Sequence, residues 1–217
     1  SVADPDMQLR PDPATLRPVP WAKEPTAQII HDCFSFDGKA VDLSPRNVLR
    51  RVLKLYEDEG WKPVVAPEME FYLVQVEPDE DIPLKAPVGR TKRTEAGMQS
   101  FSMDAINEYD DIFDVMYDWC EAEGIQLDTL IHEMGTAQME INIDHGDPLP
   151  LADQVFLFKR TIREVAIRHQ MYATFMAKPM QGQPGSAMHI HQSVVGIDDG
   201  KNIFSGADGQ ASDNFFH

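Results

Sequence analysis

Apolar residues recur at every third and fourth position in three stretches of the chain, and each such stretch predicts a helix. Ser44 and Pro45 form a cap and first-turn pair, Val48, Leu49, Val52, Leu53 and Tyr56 follow at helical spacing, and Gly60 ends the run. Ile112, Met116, Trp119 and Cys120 mark a second helix, stopped by Gly124. Leu151, Val155, Phe158, Ile162, Val165 and His169 make a single apolar stripe, with Lys159, Arg160, Arg163 and Arg168 elsewhere around the cylinder, as on a helix that covers a core.

Elsewhere the period changes to two. In residues 64–76, Met69, Phe71 and Leu73 share one strand face while Glu68, Glu70 and Tyr72 share the other. Residues 125–133 and 138–144 read as a hairpin turning through Gly135, with Met139, Ile141 and Ile143 on one face and Gln138, Glu140 and Asn142 on the other. A last strand over 186–194 alternates Met188, Ile190 and Val194 with His189, His191 and Ser193. Strands interrupted by helices, with no internal repeat, predict an α+β fold: an antiparallel β-sheet with helices packed on one side.

Composition narrows the function classes. With 217 residues, 42% apolar and 25% charged, the chain is an ordinary globular sequence, long enough for one domain or a large piece of one. A net charge of −17 repels phosphate backbones and anionic lipid heads, which argues against nucleic-acid or membrane partners. Residues 104–128 hold nine carboxylates and no Lys or Arg, a pattern that reads first as a solvated helix face. Cys33 and Cys120 stand far apart, so a disulfide framework is not expected and a reducing cytoplasm is the default location. No apolar run reaches the roughly 18 residues of a spanning helix. Both ends read as cut: the opening is Ser1, the stretch 6–25 is rich in proline and reads as an irregular connector, and Phe215, Phe216 and His217 close the chain on aromatics, as if inside an element.

The strands carry the candidate chemistry. At about 3.3 Å rise per residue the Cα atoms of Glu68 and Glu70 lie about 7 Å apart, a separation that suits two neighbouring cations better than chelation of one. A solvated acidic face would look the same from this pair alone. Glu133 at the end of one hairpin strand and Glu140 on the other can project to one side, and His189 and His191 share a face of the last strand. Carboxylates with an imidazole suit Mg²⁺ or Mn²⁺ better than zinc, and such ions imply a phosphate-bearing substrate. No Gly-x-x-x-x-Gly-Lys-Ser/Thr loop is present, so metals and scattered side chains would have to hold any nucleotide. Acids set singly on strands argue against a metal-buffering protein.

Three strings, Pro67-Glu-Met-Glu-Phe-Tyr72, His132-Glu-Met-Gly-Thr-Ala-Gln-Met-Glu140, and Ala173-Thr-Phe-Met-Ala-Lys-Pro179 continued by Gly185-Ser-Ala-Met-His-Ile-His-Gln-Ser193, resemble the glutamine synthetase family in order and across nearly the whole chain. The longer blocks are most similar to its bacterial γ-glutamylpolyamine synthetase branch. The resemblance implies the first part of the family's catalytic domain over 41–217, the end of its N-terminal domain with a connector over 1–40, and a ring-like homo-oligomer, expected to be a dodecamer. It implies that Glu70, Glu133 and Glu140 hold one Mg²⁺ or Mn²⁺ and that Glu68 and His189 hold another. His191, Ser193 and Asp128 would line the ATP site, and the Gly185 backbone would approach glutamate. The implied reaction is ATP-dependent joining of glutamate to an amine, a polyamine in this branch. An ordinary glutamine synthetase using ammonium and a non-catalytic scaffold member of the family are the alternatives.

Two departures stand out. Pro184 replaces a common Asn, removing a side-chain amide near the amino-acid end of glutamate, and Ala187 replaces a common Gly. The family's later arginines and a flap acid lie outside these residues, so the chain by itself is expected to be inactive.

Overall fold

The computed structural model describes residues 6–77, 79, 81–206 and 209–215. Two compact units are present, one made of residues 1–65, 145–153 and 191–217, the other of residues 66–144 and 154–190.

The first unit begins with four short strands: β1 (Gln8–Pro11), β2 (Arg17–Pro18), β3 (Ala27–Gln28) and β4 (His31–Phe34). β1 pairs antiparallel with β4, and β2 with β3. The proline-rich stretch is therefore less irregular than its sequence suggests. Pro11 and Pro18 close their strands, a position where a missing N–H interrupts no ladder. Helix α1 (Pro45–Asp58) starts with Pro45 in its first turn, as predicted, but Ser44 makes no side-chain cap hydrogen bond. Its apolar residues are only partly covered, with Leu49, Leu53 and Tyr56 half-buried. Val48 and Val52 remain exposed, and Asn47 is the helix's buried residue among those described. Arg46 on α1 draws the unit together: its guanidinium forks onto Asp153 at 2.9 and 2.8 Å and also reaches Asp32 at 2.6 Å and Asp12 at 2.9 Å.

Most of the long strand β5 (Trp61–Gln75) belongs to the second unit, with α2 (Met103–Asn107), α3 (Asp110–Glu123), the hairpin strands β6 (Leu127–His132) and β7 (Gln138–Ile143), most of α4 (Pro148–Arg168), β8 (Met171–Thr174) and the first residues of β9 (Met188–Gly196), whose remainder belongs to the first unit. The sheet order is β6-β7-β5-β8, with β9 also paired to β5. The pairings of β5 with β7 and β8, and of β6 with β7, are antiparallel. Alternation along β5 has the predicted consequence: Met69, Phe71 and Leu73 are buried, and Phe71 meets Phe158 of α4 edge-on at 6.3 Å and Phe175 at 5.3 Å. Phe158, Ile162 and Val165 of the α4 stripe are fully buried. Helix α3 ends at Gly124, whose left-handed φ of 71° lets the chain turn off the helix.

One carboxylate of the acidic run departs from the solvated-face expectation. Glu123 is fully buried, and its Oε2 lies 2.5 Å from the Thr161 hydroxyl of α4. Helix spacing assigns Glu123 to a face, but α4 decides whether that face meets water. Cys33 and Cys120 are both unpaired, and burial, with Glu123 nearby, pushes the Cys120 thiol up. Among the described residues no helix is long and apolar enough to cross a membrane. Phe215 lies in a short 3₁₀ turn and packs edge-on against Phe204, while Phe216 and His217 fall outside the described residues.

Candidate metal centre

The register of β5 against β7 builds the site. Glu68 pairs with Asn142, Glu70 with Glu140 and Tyr72 with Gln138, so the polar faces of the two strands lie side by side. Ligand atoms of Glu68, Glu140 and His189 all come within 4.8 Å of one another. His189 Nδ1 is 3.3 Å from Glu68 Oε2, and its side chain is 62% exposed. Glu140 is buried. Its carboxyl is pushed up by that burial and then by the charges of Glu68, Glu133 and Glu70, with His189 acting the other way.

The trio cuts across the two ligand sets expected from sequence. Glu140 stands with Glu68 and His189 by distance, and it feels Glu70 and Glu133 electrostatically. Glu133 lies just beyond the end of β6, where its N–H donates to the Gln138 carbonyl at 2.8 Å. The donor set suits a hard divalent cation: the ligand atoms are carboxylate oxygens and one ring nitrogen, and the acids repel one another in the absence of positive charge.

Gln138, which sequence reasoning passed over, organises this face. Its Nε2 donates to Glu70 Oε2 at 3.0 Å and to the Gly185 carbonyl at 2.9 Å, while its Oε1 accepts from Gly135 N and lies 3.0 Å from the Tyr72 hydroxyl. Three capacities of that buried amide are engaged outright, and for the fourth it competes with the Pro184 carbonyl for the single Tyr72 proton. Tyr72 is also buried, and its hydroxyl reaches the Pro184 carbonyl at 2.8 Å. Burial, then Glu70 and Glu133, push the Tyr72 phenol up to about 12, which keeps it a donor. The available signal was the period of two, which puts Gln138 on the same face as Glu140. Gly185 is held through its carbonyl, and a Cβ there would come 2.8 Å from the Ala177 carbonyl oxygen.

Asp128 is exposed in an irregular stretch of β6, where its charge acts on Tyr117 of α3. His191 and Ser193 lie on β9 within the first unit, His191 exposed and Ser193 half-buried.

Residues 42–217 match the glutamine synthetase catalytic domain. The chain belongs to the glutamine synthetase family. It is 34% identical over 208 residues to glutamine synthetase of Pyrococcus horikoshii, covering 96% of this chain and 44% of that protein. It is 37% identical to glutamate–isopropylamine ligase of a Pseudomonas species over 88% of this chain and 41% of that protein. It is 34% identical to γ-glutamylputrescine synthetase PuuA of Escherichia coli over 97% of this chain and 45% of that protein. The solved structure of GmaS without ligand superposes with a TM-score of 0.82 at 30% identity, covering 97% of this chain and 48% of that one. This glutamine synthetase relative thus spans less than half the length of the proteins it matches.

Proposed function

We propose that the full protein joins the side-chain carboxyl of glutamate to an amine in an ATP-driven reaction that needs Mg²⁺ or Mn²⁺. The gathering of Glu68, Glu140 and His189 beside Glu70 and Glu133 is the observation that carries this reading. A carboxylate is a poor acyl donor because its leaving group would be oxide. Transfer of the ATP γ-phosphoryl group to a glutamate side-chain oxygen gives γ-glutamyl phosphate and ADP. The amine nitrogen then forms the C–N bond as phosphate leaves, and the amine loses a proton. A bound divalent cation would offset negative charge on the phosphate and carboxylate oxygens.

Glu70, Glu133 and Glu140 would hold the cation nearest glutamate, and Glu68 and His189 the one nearest ATP. Glu140 suits a shared place, since its carboxylate belongs to the trio and senses both other acids. Gln138 keeps Glu70 oriented and ties down the Gly185 backbone, which would face glutamate. His191, Ser193 and Asp128 are assigned to ATP. Activity is assigned to the full protein and not to these 217 residues alone, because the relatives extend well beyond the matched region. A cytoplasmic ring-like homo-oligomer belongs to the same reading.

The amine is taken to be a polyamine such as putrescine. Resemblance to the γ-glutamylpolyamine branch supports this, while matches at similar identity to a glutamine synthetase keep ammonium as the comparison. The test is release of phosphate from ATP by the full protein with glutamate, comparing putrescine, isopropylamine and ammonium in Mg²⁺ and in Mn²⁺. No release with any amine would leave the scaffold alternative.

A further inference from the structure

Glu133 sits in the turn between β6 and β7, and that turn is held largely by side chains from elsewhere in its unit. Gly135 N donates to Gln138 Oε1 at 3.0 Å, Thr136 N to Gln183 Oε1 at 3.2 Å, and Ala137 N to Glu95 Oε1 at 3.0 Å. Ala137 is fully buried with a φ of 53°, in the left-handed region that an alanine rarely occupies. Such a conformation persists only where the surroundings impose it. Glu95 supplies that constraint at the exit of the turn.

The same carboxylate reaches the other end of the turn. Glu95 Oε1 is 2.9 Å from His132 Nε2, the two side chains being 3% and 0% exposed. The other ring nitrogen of His132, Nδ1, lies 2.6 Å from the carbonyl oxygen of Glu133. A carbonyl can only accept, so Nδ1 carries the proton and Nε2 is the atom turned to Glu95. The Nε2 contact is close without being a well-aligned hydrogen bond, and among the described residues Glu95 Oε2 and Tyr109 Oη are likewise buried without a well-aligned partner, although the two side chains interact. Burial, then the Glu95 charge, push the Tyr109 phenol well above its ordinary range, so it remains protonated beside Glu95. A buried polar group of this kind is costly to keep, and a purely apolar filling would avoid that cost.

We propose that Glu95 is a positioning residue for Glu133, acting on its backbone through His132 at one end of the turn and Ala137 at the other. The proposal rests on the function given above, in which Glu133 is a cation ligand. Glu95 touches neither cation nor substrate in this scheme; it sets the height and direction from which the Glu133 carboxylate is presented. Groups that orient a ligand in this way typically change metal affinity by about 10- to 100-fold when removed.

The test uses the full protein with Mn²⁺ as probe and amide hydrogen exchange as a second readout. Glu95→Ala should speed exchange at the Ala137 amide at least about tenfold while leaving the amides of Phe158 and Ile162 in α4 unchanged. It should weaken Mn²⁺ binding by about 10- to 100-fold, with Glu95→Gln restoring part of the loss by accepting again from Ala137 N. Should Glu95→Ala fail to fold, Glu95→Gln carries the same comparisons with a smaller effect. In a Glu133→Gln background, changing Glu95 should weaken Mn²⁺ no further, because the effect passes through Glu133. Unchanged exchange at Ala137 overturns the proposal, as do losses from Glu95 and Glu133 changes that simply multiply. If Glu133→Gln leaves Mn²⁺ affinity at the wild-type value, the ligand role of Glu133 falls instead, and the Ala137 exchange still decides whether Glu95 governs the turn.

Discussion

Glu70 on β5 stands directly opposite Glu140 on β7, two acids at register-paired positions of adjacent antiparallel strands. Like charges so placed destabilise a sheet by roughly 0.2–1 kcal/mol, and Glu140 is buried as well. Replacing Glu140 with Gln removes that repulsion. We expect Glu140→Gln, without divalent cations, to keep or raise the thermal midpoint by about 1–4 °C, and to lose the stabilisation that Mn²⁺ gives the wild type. Scanning calorimetry with and without Mn²⁺ measures both. A variant that is less stable without metal yet gains as much from Mn²⁺ would reject the site.

Gly135 is fixed by a close approach. A Cβ there would come 2.0 Å from the Tyr72 hydroxyl and 2.6 Å from Gln138 Oε1, pushing on the hydroxyl that reaches Pro184 and on the amide whose Nε2 holds Glu70 and Gly185. Gly135→Ala should lower stability by about 2–4 kcal/mol in urea unfolding, combining overpacking with lost hydrogen bonds. An unchanged urea midpoint would mean that the turn relaxes at no cost.

Acid should loosen the first unit through its arginine hub. Hydrogen bonds from Arg50 and Arg46 hold the Asp32 carboxyl below the usual carboxylate range, and Arg46 does the same for Asp12, so both bind fewer protons folded than unfolded at moderately acid pH. Their stabilisation is fully present above the unfolded value of about 4 and is lost as pH falls from there through the lower folded values. Asp32→Asn should therefore flatten the stability curve between about pH 4 and pH 2. Arg46→Met, which removes one cation from three carboxylates and leaves Asp12 and Asp32 to Arg50, should cost about 2–4 kcal/mol at neutral pH. Denaturant midpoints across pH would expose a failure of either.

Glu133→Gln keeps the volume and removes a charge. In the full protein it should lower kcat/KM by several orders of magnitude with little change in the circular dichroism spectrum. Near-normal turnover at saturating Mn²⁺ would remove Glu133 from the reaction.

The amine preference rests on resemblance. Putrescine or another primary polyamine should give a higher kcat/KM than ammonium, because a pocket opened for an alkyl chain loses the closed cage a small cation needs. The strong negative charge of the chain raises the local concentration of any cationic amine, but salt screens that effect and it does not choose between amines. Efficient glutamine formation, with no polyamine stimulating ATP hydrolysis, would assign the protein to ammonium.

What the sequence determined by itself was local. The period of two placed Glu68, Glu70 and Tyr72 on one face of β5, and Gly124 marked the end of α3, because backbone geometry and left-handed caps act between neighbouring residues. The family strings then named the acids. Tertiary structure decided the rest. Periodicity shows which face of a helix is apolar but not what covers it: α1 forms at its predicted spacing yet leaves Val48 and Val52 exposed, and Glu123 reads as a solvated acid although α4 encloses it. The gathering of Glu68, Glu140 and His189 depends on strand register and on where β9 returns to β5. Glu95 carries no periodic signal at all, since it lies in a loop, and its contact with His132 exists only because the fold brings two distant segments into one buried space where each polar group must find its partner in the other.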